Sequence, residues 1–197
     1  MTAARPGSKP KITREEVLAL VAKHHPGVAL PAVAVVGIRG YYRDSMGQKG
    51  VNDRGIYDDA IIVLTPQTFA AFNGNTDPSR VRKGKGTGAG KGMARLKPGL
   101  YQAHQLGQHR AGTPSGHPAL VQRAGKVTVI RDGISGDYEE TGFFGINIHR
   151  GGNTTTSSEG CQTLPPDQWP VFYANVRAAL SSYGQAVLTY VLIEGVD

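Results

Sequence analysis

One cysteine in 197 residues leaves no partner for an internal disulfide, so a disulfide-stapled secreted scaffold is excluded and Cys161 stands as a free thiol. Long apolar runs are also missing: the richest, AIIVL at 60–64, is far below the length of a membrane span, and no span is expected. The opening stretch MTAARPGSKPKITREE has no apolar run behind its basic residues, so synthesis in the cytoplasm without a signal peptide is expected. Carboxylates are absent between Asp77 and Asp132, a segment that holds eleven of the 22 Lys and Arg residues. Such a segment attracts polyanions: nucleic acid, anionic lipid or acidic cell-envelope polymers. Stacking aromatics are scarce there too, Tyr101 being the only one between 78 and 131, which argues against nucleic acid as an obligate partner.

GKGTGAGKG, at 84–92, has the look of a phosphate-binding loop. Its Gly-Lys pair at Gly90–Lys91 puts Lys85 at the first glycine position and Gly92 where a metal-binding hydroxyl belongs. It reads as a mobile basic loop.

Glycine and proline are plentiful, 27 and 12, which favours short strands and many turns. Residues 1–11 read as a flexible tail and 12–197 as a single domain. Thr13-Arg14-Glu15-Glu16 is a capping box opening a helix over 13–25, with Val17, Leu18 and Val21 on one face and His24 and His25 in the last turn. Strands are expected at Ala32–Ile38, Gly55–Leu64, Gly99–His104, Lys126–Ile130 and Phe143–His149, a second helix over Pro166–Ser182, and a buried last strand over Gln185–Ile193. Trp169 reads as a core or helix-start residue. The fold class is α+β, β-rich, with peripheral helices.

Chemistry concentrates in GINIHRGGNTTTSSEGCQTL, 145–164. On an extended Phe143–His149, Phe144, Ile146 and Ile148 face one way and Asn147 and His149 the other, a core face and a cleft face. The polar stretch 150–158 is flexible enough to bring Cys161 back beside His149, a base for its thiol. Gly160 permits a tight turn that presents backbone N–H groups to an oxyanion. His104, His109 and His117, taken with Asp132 or Asp137, match no zinc-peptidase spacing; no metal and no cofactor is expected, and His117 is assigned to the cleft.

No histidine follows Cys161, which excludes a papain-like order. The order His–x–Gly–polar loop–Ser–x–Gly–Cys resembles the L,D-transpeptidase family, β-rich cysteine enzymes acting on peptidoglycan stem peptides. The resemblance spans about residues 55–195, including Lys97-Pro98-Gly99-Leu100-Tyr101 as the family's strand entry. It implies a β-sandwich or barrel core, with His149 as general base and Cys161 as acyl acceptor. Ser158 and the Gly160 N–H complete the catalytic turn, and Arg150, Asn147, His117, Gln162 and Tyr101 are expected to contact substrate. Glu159 stands where members carry a histidine or lysine. The shortened loop is closest to divergent members among phage lysis proteins and antibacterial effectors. A monomeric wall-degrading hydrolase delivered to the periplasm is therefore expected, with peptidoglycan as partner and the basic segment meeting anionic envelope polymers. A non-catalytic wall- or virion-binding module and a nucleic-acid-binding protein are the alternatives.

Overall fold

Apolar residues at successive positions of three segments, rather than at alternate ones, set the architecture. Strands β1 (Ala34–Arg39), β2 (Asp59–Leu64) and β11 (Leu188–Glu194) are buried along almost their whole length in the computed structural model, which describes residues 2–84 and 90–195. Both faces are covered, so both must be apolar. Val35, Ile61, Val63, Tyr190 and Leu192 point into the main core, while Val36, Ile38, Ala60, Ile62, Val191 and Ile193 form a second core on the opposite face. Helix α1 (Arg14–His24) seals that second face with Val17 and Val21; its Thr13–Glu16 capping box is present as expected. Leu18 departs from the expected stripe and is 43% exposed.

The other strands are β3 (Phe69–Gly74), β4 (Ala94–Leu96), β5 (Gly99–His109), β6 (His117–Gln122), β7 (Val127–Arg131), β8 (Tyr138–Gly142), β9 (Ile148–Arg150) and β10 (Gln162–Leu164). Eight strands make one mixed sheet in the order β10-β9-β6-β5-β11-β1-β2-β3, and β4-β7-β8 make a small antiparallel one. The large sheet curls until its two edge strands meet: Asn75, just past β3, exchanges two 2.8 Å backbone hydrogen bonds with Thr163 of β10. The result is a nearly closed β-rich α+β fold. Helix α2 (Trp169–Ser182) lays Trp169, Phe172, Val176 and Leu180 on the main core, and Gly184 ends the segment in the left-handed region at φ 60°. Among the described residues no helix is long and apolar enough to cross a membrane.

Residues 2–11 lack regular structure but are tied to the body, through Ala3 N–H to Asn153 O at 2.7 Å, Tyr57 N–H to Ala4 O at 2.9 Å and an Arg5–Asp167 ion pair at 2.6 Å. The basic segment is built into the fold. It builds β4 to β7, and β8 returns Glu139 and Glu140 to pair with Lys97, Lys91 and Arg131. Residues 85–89, the centre of GKGTGAGKG, lie outside the described residues.

Candidate active site

The cleft is built where β9 and β10 run parallel, Gln162 beside Ile148 and Thr163 beside His149. The polar loop between them does fold back and sets Cys161 next to the 145–149 stretch, with Gln162 N–H donated to Asn147 O at 2.8 Å. Of the expected strand over Phe143–His149, only the last two residues join the ladder. The rest is held by a side chain instead. Gln122 Oε1 accepts the N–H groups of Phe144 and Ile146 at 3.0 and 3.1 Å, and Gln122 Nε2 donates to the carbonyls of Gly125 and Gly142, 3.0 Å each. His104 donates from Nε2 to Ile146 O at 2.8 Å, which supports the same stretch from β5.

One ring nitrogen of His149, one of His109 and the Cys161 sulfur lie within 4.8 Å of one another, in a cleft of about 450 Å³. The tautomer of His149 follows from its neighbour: Nδ1 sits 2.7 Å from the Arg150 carbonyl, which can only accept, so the proton is on Nδ1. Nε2 then carries the lone pair, is buried, and has no hydrogen-bond partner among the described residues. His109 is fixed the other way. Gln122 N–H occupies Asn147 Oδ1 at 2.9 Å, so Asn147 Nδ2 donates to His109 Nδ1 at 3.0 Å and the His109 proton sits on Nε2.

Electrostatically this is a neutral pair. Burial pushes the Cys161 thiol up to about 11, and Glu159 adds to the rise, while the backbone N–H groups of Asn147 and Cys161 beside the sulfur work against it. Burial, followed by the nearby His109, pushes His149 down to about 3. At neutral pH the resting state is therefore thiol and imidazole, with the S–H directed at Gly145 O, 3.4 Å away.

The turn that carries Cys161 is tightly specified. Gly160 has φ 148°, and a Cβ there would overlap the Ala94 carbonyl oxygen, so only glycine fits. Its N–H, expected to face an oxyanion, is donated to Ser158 Oγ at 3.0 Å, while the Ser158 hydroxyl donates to Cys161 O at 2.7 Å. Ser158 is thus committed to closing the turn and does not reach the thiol chemistry. The backbone N–H groups that face the sulfur are those of Cys161 and Asn147.

Several expected substrate contacts move. Gln162 is fully buried, donating from Nε2 to Gly160 O at 3.1 Å and accepting from Tyr190 OH at 3.0 Å; it braces the turn from beneath. Tyr101 donates to Lys97 O at 2.6 Å and closes the entry to β5, away from the cleft. The Asn147 side chain reaches the cleft only through His109. Arg150 is exposed beside an adjoining recess of about 210 Å³, which it shares with His117, whose ring centroid is 5.5 Å from that of His149. Two residues unassigned from the sequence join the site: His109 and Arg110, at the tip of the β5–β6 hairpin, both line the cleft with Cys161. Their signal was the hairpin itself, which pairs His109 with His117 across seven intervening residues and was hidden by Pro118 in the return strand.

In comparisons with known proteins, no family model and no curated sequence matches the chain.

Proposed function

We propose that the protein is a cysteine acyltransferase or hydrolase of the L,D-transpeptidase kind, acting on the stem peptides of peptidoglycan. The observation that carries this reading is the lone pair of His149 Nε2 in a cleft with the Cys161 sulfur, the imidazole held in that tautomer by the Arg150 carbonyl. A base oriented by a third group and lining the same cleft as a thiol is the arrangement that nucleophilic acyl transfer needs.

The chemistry follows from the neutral resting pair. As the sulfur attacks a peptide carbonyl, its proton passes to His149 Nε2 and the carbonyl electrons move to oxygen, received by the Cys161 and Asn147 N–H groups. Collapse of the adduct expels the amine, which takes the proton back from His149, and leaves a thioester on Cys161. Water then releases a shortened stem peptide, or an amine forms a new amide. Arg110, a cation at the rim of the cleft, is placed to hold a stem-peptide carboxylate.

Incubation with purified Gram-negative peptidoglycan, with product masses read for wild type, Cys161→Ala and His149→Ala, tests the reading. New muropeptides absent from both variants are expected, and their masses name the bond cut and the acceptor. An unchanged digest from folded wild type would overturn the enzyme reading and leave a wall-binding module.

A further inference from the structure

Two imidazoles and a thiol sharing a 4.8 Å sphere are more than acyl transfer uses: the proposed reaction needs one histidine, and His109 has no step in it. His149 Nε2 is a buried lone pair without a partner, the residue being 2% exposed. Its other nitrogen donates to the Arg150 backbone carbonyl, the outer-shell bond that orients and strengthens a metal-ligating histidine. Thiolate and imidazole are borderline-soft donors that suit zinc-class cations, and three protein ligands around an open cleft leave a fourth position for water.

We propose that Cys161, His149 and His109 form a binding site for one thiophilic divalent cation of the zinc class, which holds the sulfur and His149 Nε2 and so makes metal binding and acyl transfer mutually exclusive. The site departs from the metal-free expectation drawn from histidine spacing, because its ligands come from three separate segments: the β5–β6 hairpin, β9 and the turn before β10. It does not depend on the catalytic reading.

Proton accounting is specific. A thiol ligates as the thiolate, so binding replaces S–H by S–metal and releases that proton to solvent. His149 is already in the ligating tautomer. His109 is not: the bond from Asn147 Nδ2 to its Nδ1 keeps the proton on Nε2. To ligate through Nε2, His109 must move that proton to Nδ1, against an amide that has only a donor to offer there. Asn147 is therefore a positioning residue that weakens the third ligand and keeps the wild-type site loose. An aspartate at 147 would accept from both Gln122 N–H and His109 Nδ1–H and would preset the tautomer of the third ligand; the His109 ring, stacked on that of His149 with centroids 3.9 Å apart, must still turn out of the stack to aim Nε2 at the ion.

Zn²⁺ and Co²⁺ titrations of the whole chain, without peptidoglycan, test the proposal. Expected are one Co²⁺ per chain with a sulfur-to-cobalt charge-transfer band, and one proton released per Zn²⁺, read by calorimetry in buffers of differing ionisation enthalpy. Cys161→Ser, nearly isosteric, abolishes the band and weakens Zn²⁺ binding by at least about 100-fold, His109→Ala weakens it by about 10-fold, and Asn147→Asp tightens it by about 10-fold. Folding of each variant is checked by circular dichroism. Zn²⁺ affinity equal in wild type and Cys161→Ser, a Co²⁺ spectrum without the sulfur band, or Asn147→Asp binding more weakly than wild type would each overturn it. The wall digest is a separate readout: a protein can bind the metal and leave peptidoglycan uncut, or cut it and ignore the metal. Where both hold, Zn²⁺ stops turnover and a chelator restores it.

Discussion

The ring of His109 lies flat on the ring of His149, centroids 3.9 Å apart and planes 11° from parallel. Both are pushed down by burial and by the charge that a second protonated histidine would place beside them, His109 to about 4 and His149 to about 3. The stack is thus one of two neutral imidazoles, and it faces a thiol held near 11. Alkylation of Cys161 by iodoacetamide is expected to be slow at pH 7 and to climb about tenfold per pH unit up to about pH 10, because the rate tracks the thiolate fraction. A plateau reached below pH 7 would mean a preformed thiolate–imidazolium pair and would contradict the neutral site.

Replacing Gly160 tests the turn. Gly160→Ala places a Cβ against the Ala94 carbonyl at a φ of 148°, and a loss of about 2–4 kcal/mol in urea unfolding is expected. A loss under 0.5 kcal/mol would show that the turn relaxes and that its geometry is not imposed by the glycine.

Gln162→Leu removes a side chain that satisfies Gly160 O and Tyr190 OH together, leaving two buried polar groups unpaired. The expected cost is about 2–4 kcal/mol. Tyr190→Phe alone should cost about 1 kcal/mol, and in the double variant the two losses should fall short of their sum, since the groups share one hydrogen bond. Strict additivity in denaturant melts would refute the brace.

Arg110 and Arg150 separate by position. If Arg110 holds a stem-peptide carboxylate, Arg110→Ala raises KM for stem peptides about tenfold or more and leaves iodoacetamide alkylation of Cys161 within about twofold. Arg150→Ala, which keeps the backbone carbonyl that His149 uses, changes KM much less. The reverse ranking would return the carboxylate to Arg150.

Far from the cleft, burial pushes the Asp58 carboxyl up to about 7 from an ordinary 3.8, with Asp77 and Asp53 adding to the rise. A raised native value means that the folded chain holds this proton while the unfolded chain has lost it, so this group's contribution to stability falls as pH rises from about 4 through about 7. Asp58→Asn keeps a neutral acceptor for the Asp53 N–H and should remove that dependence. Urea unfolding at pH 5 and pH 8 is expected to show a smaller difference in the variant than in wild type. The buried histidines titrate with the opposite sign but are common to both proteins. Equal differences would mean that the proton is held by the adjacent buried Asp59, whose carboxyl is raised with that of Asp58, and not by Asp58.

What the sequence made legible was local. The Thr13–Glu16 capping box, the doubly apolar β1, β2 and β11, and the stripe of α2 each announce themselves within a dozen residues, and so does the return of Cys161 to His149 across a short polar loop. The rest depends on polar side chains bonded across long separations. Gln122 stands in for a missing strand partner of residues 142–147, and Gln162 and Tyr190 meet across the core. A hydrophobic period carries no trace of either. The resemblance implies a substrate contact for Gln162, yet on β10 the residue after Cys161 points inward. β10 itself, three residues long, is too short for any periodicity to register.

The curled sheet has one seam, and its last rung is the pair of hydrogen bonds between Asn75 and Thr163. Thr163 is two residues beyond Cys161, so the strand that begins directly after the thiol is also the final stave of the tube. Opening the seam frees one edge of β10, whose other edge rests only on the three-residue β9. The aim of the sulfur is therefore a property of ring closure. Slow amide exchange at Thr163 and a well-aimed thiol should rise and fall together, and a change at Asn75 would be felt at the cleft without touching it.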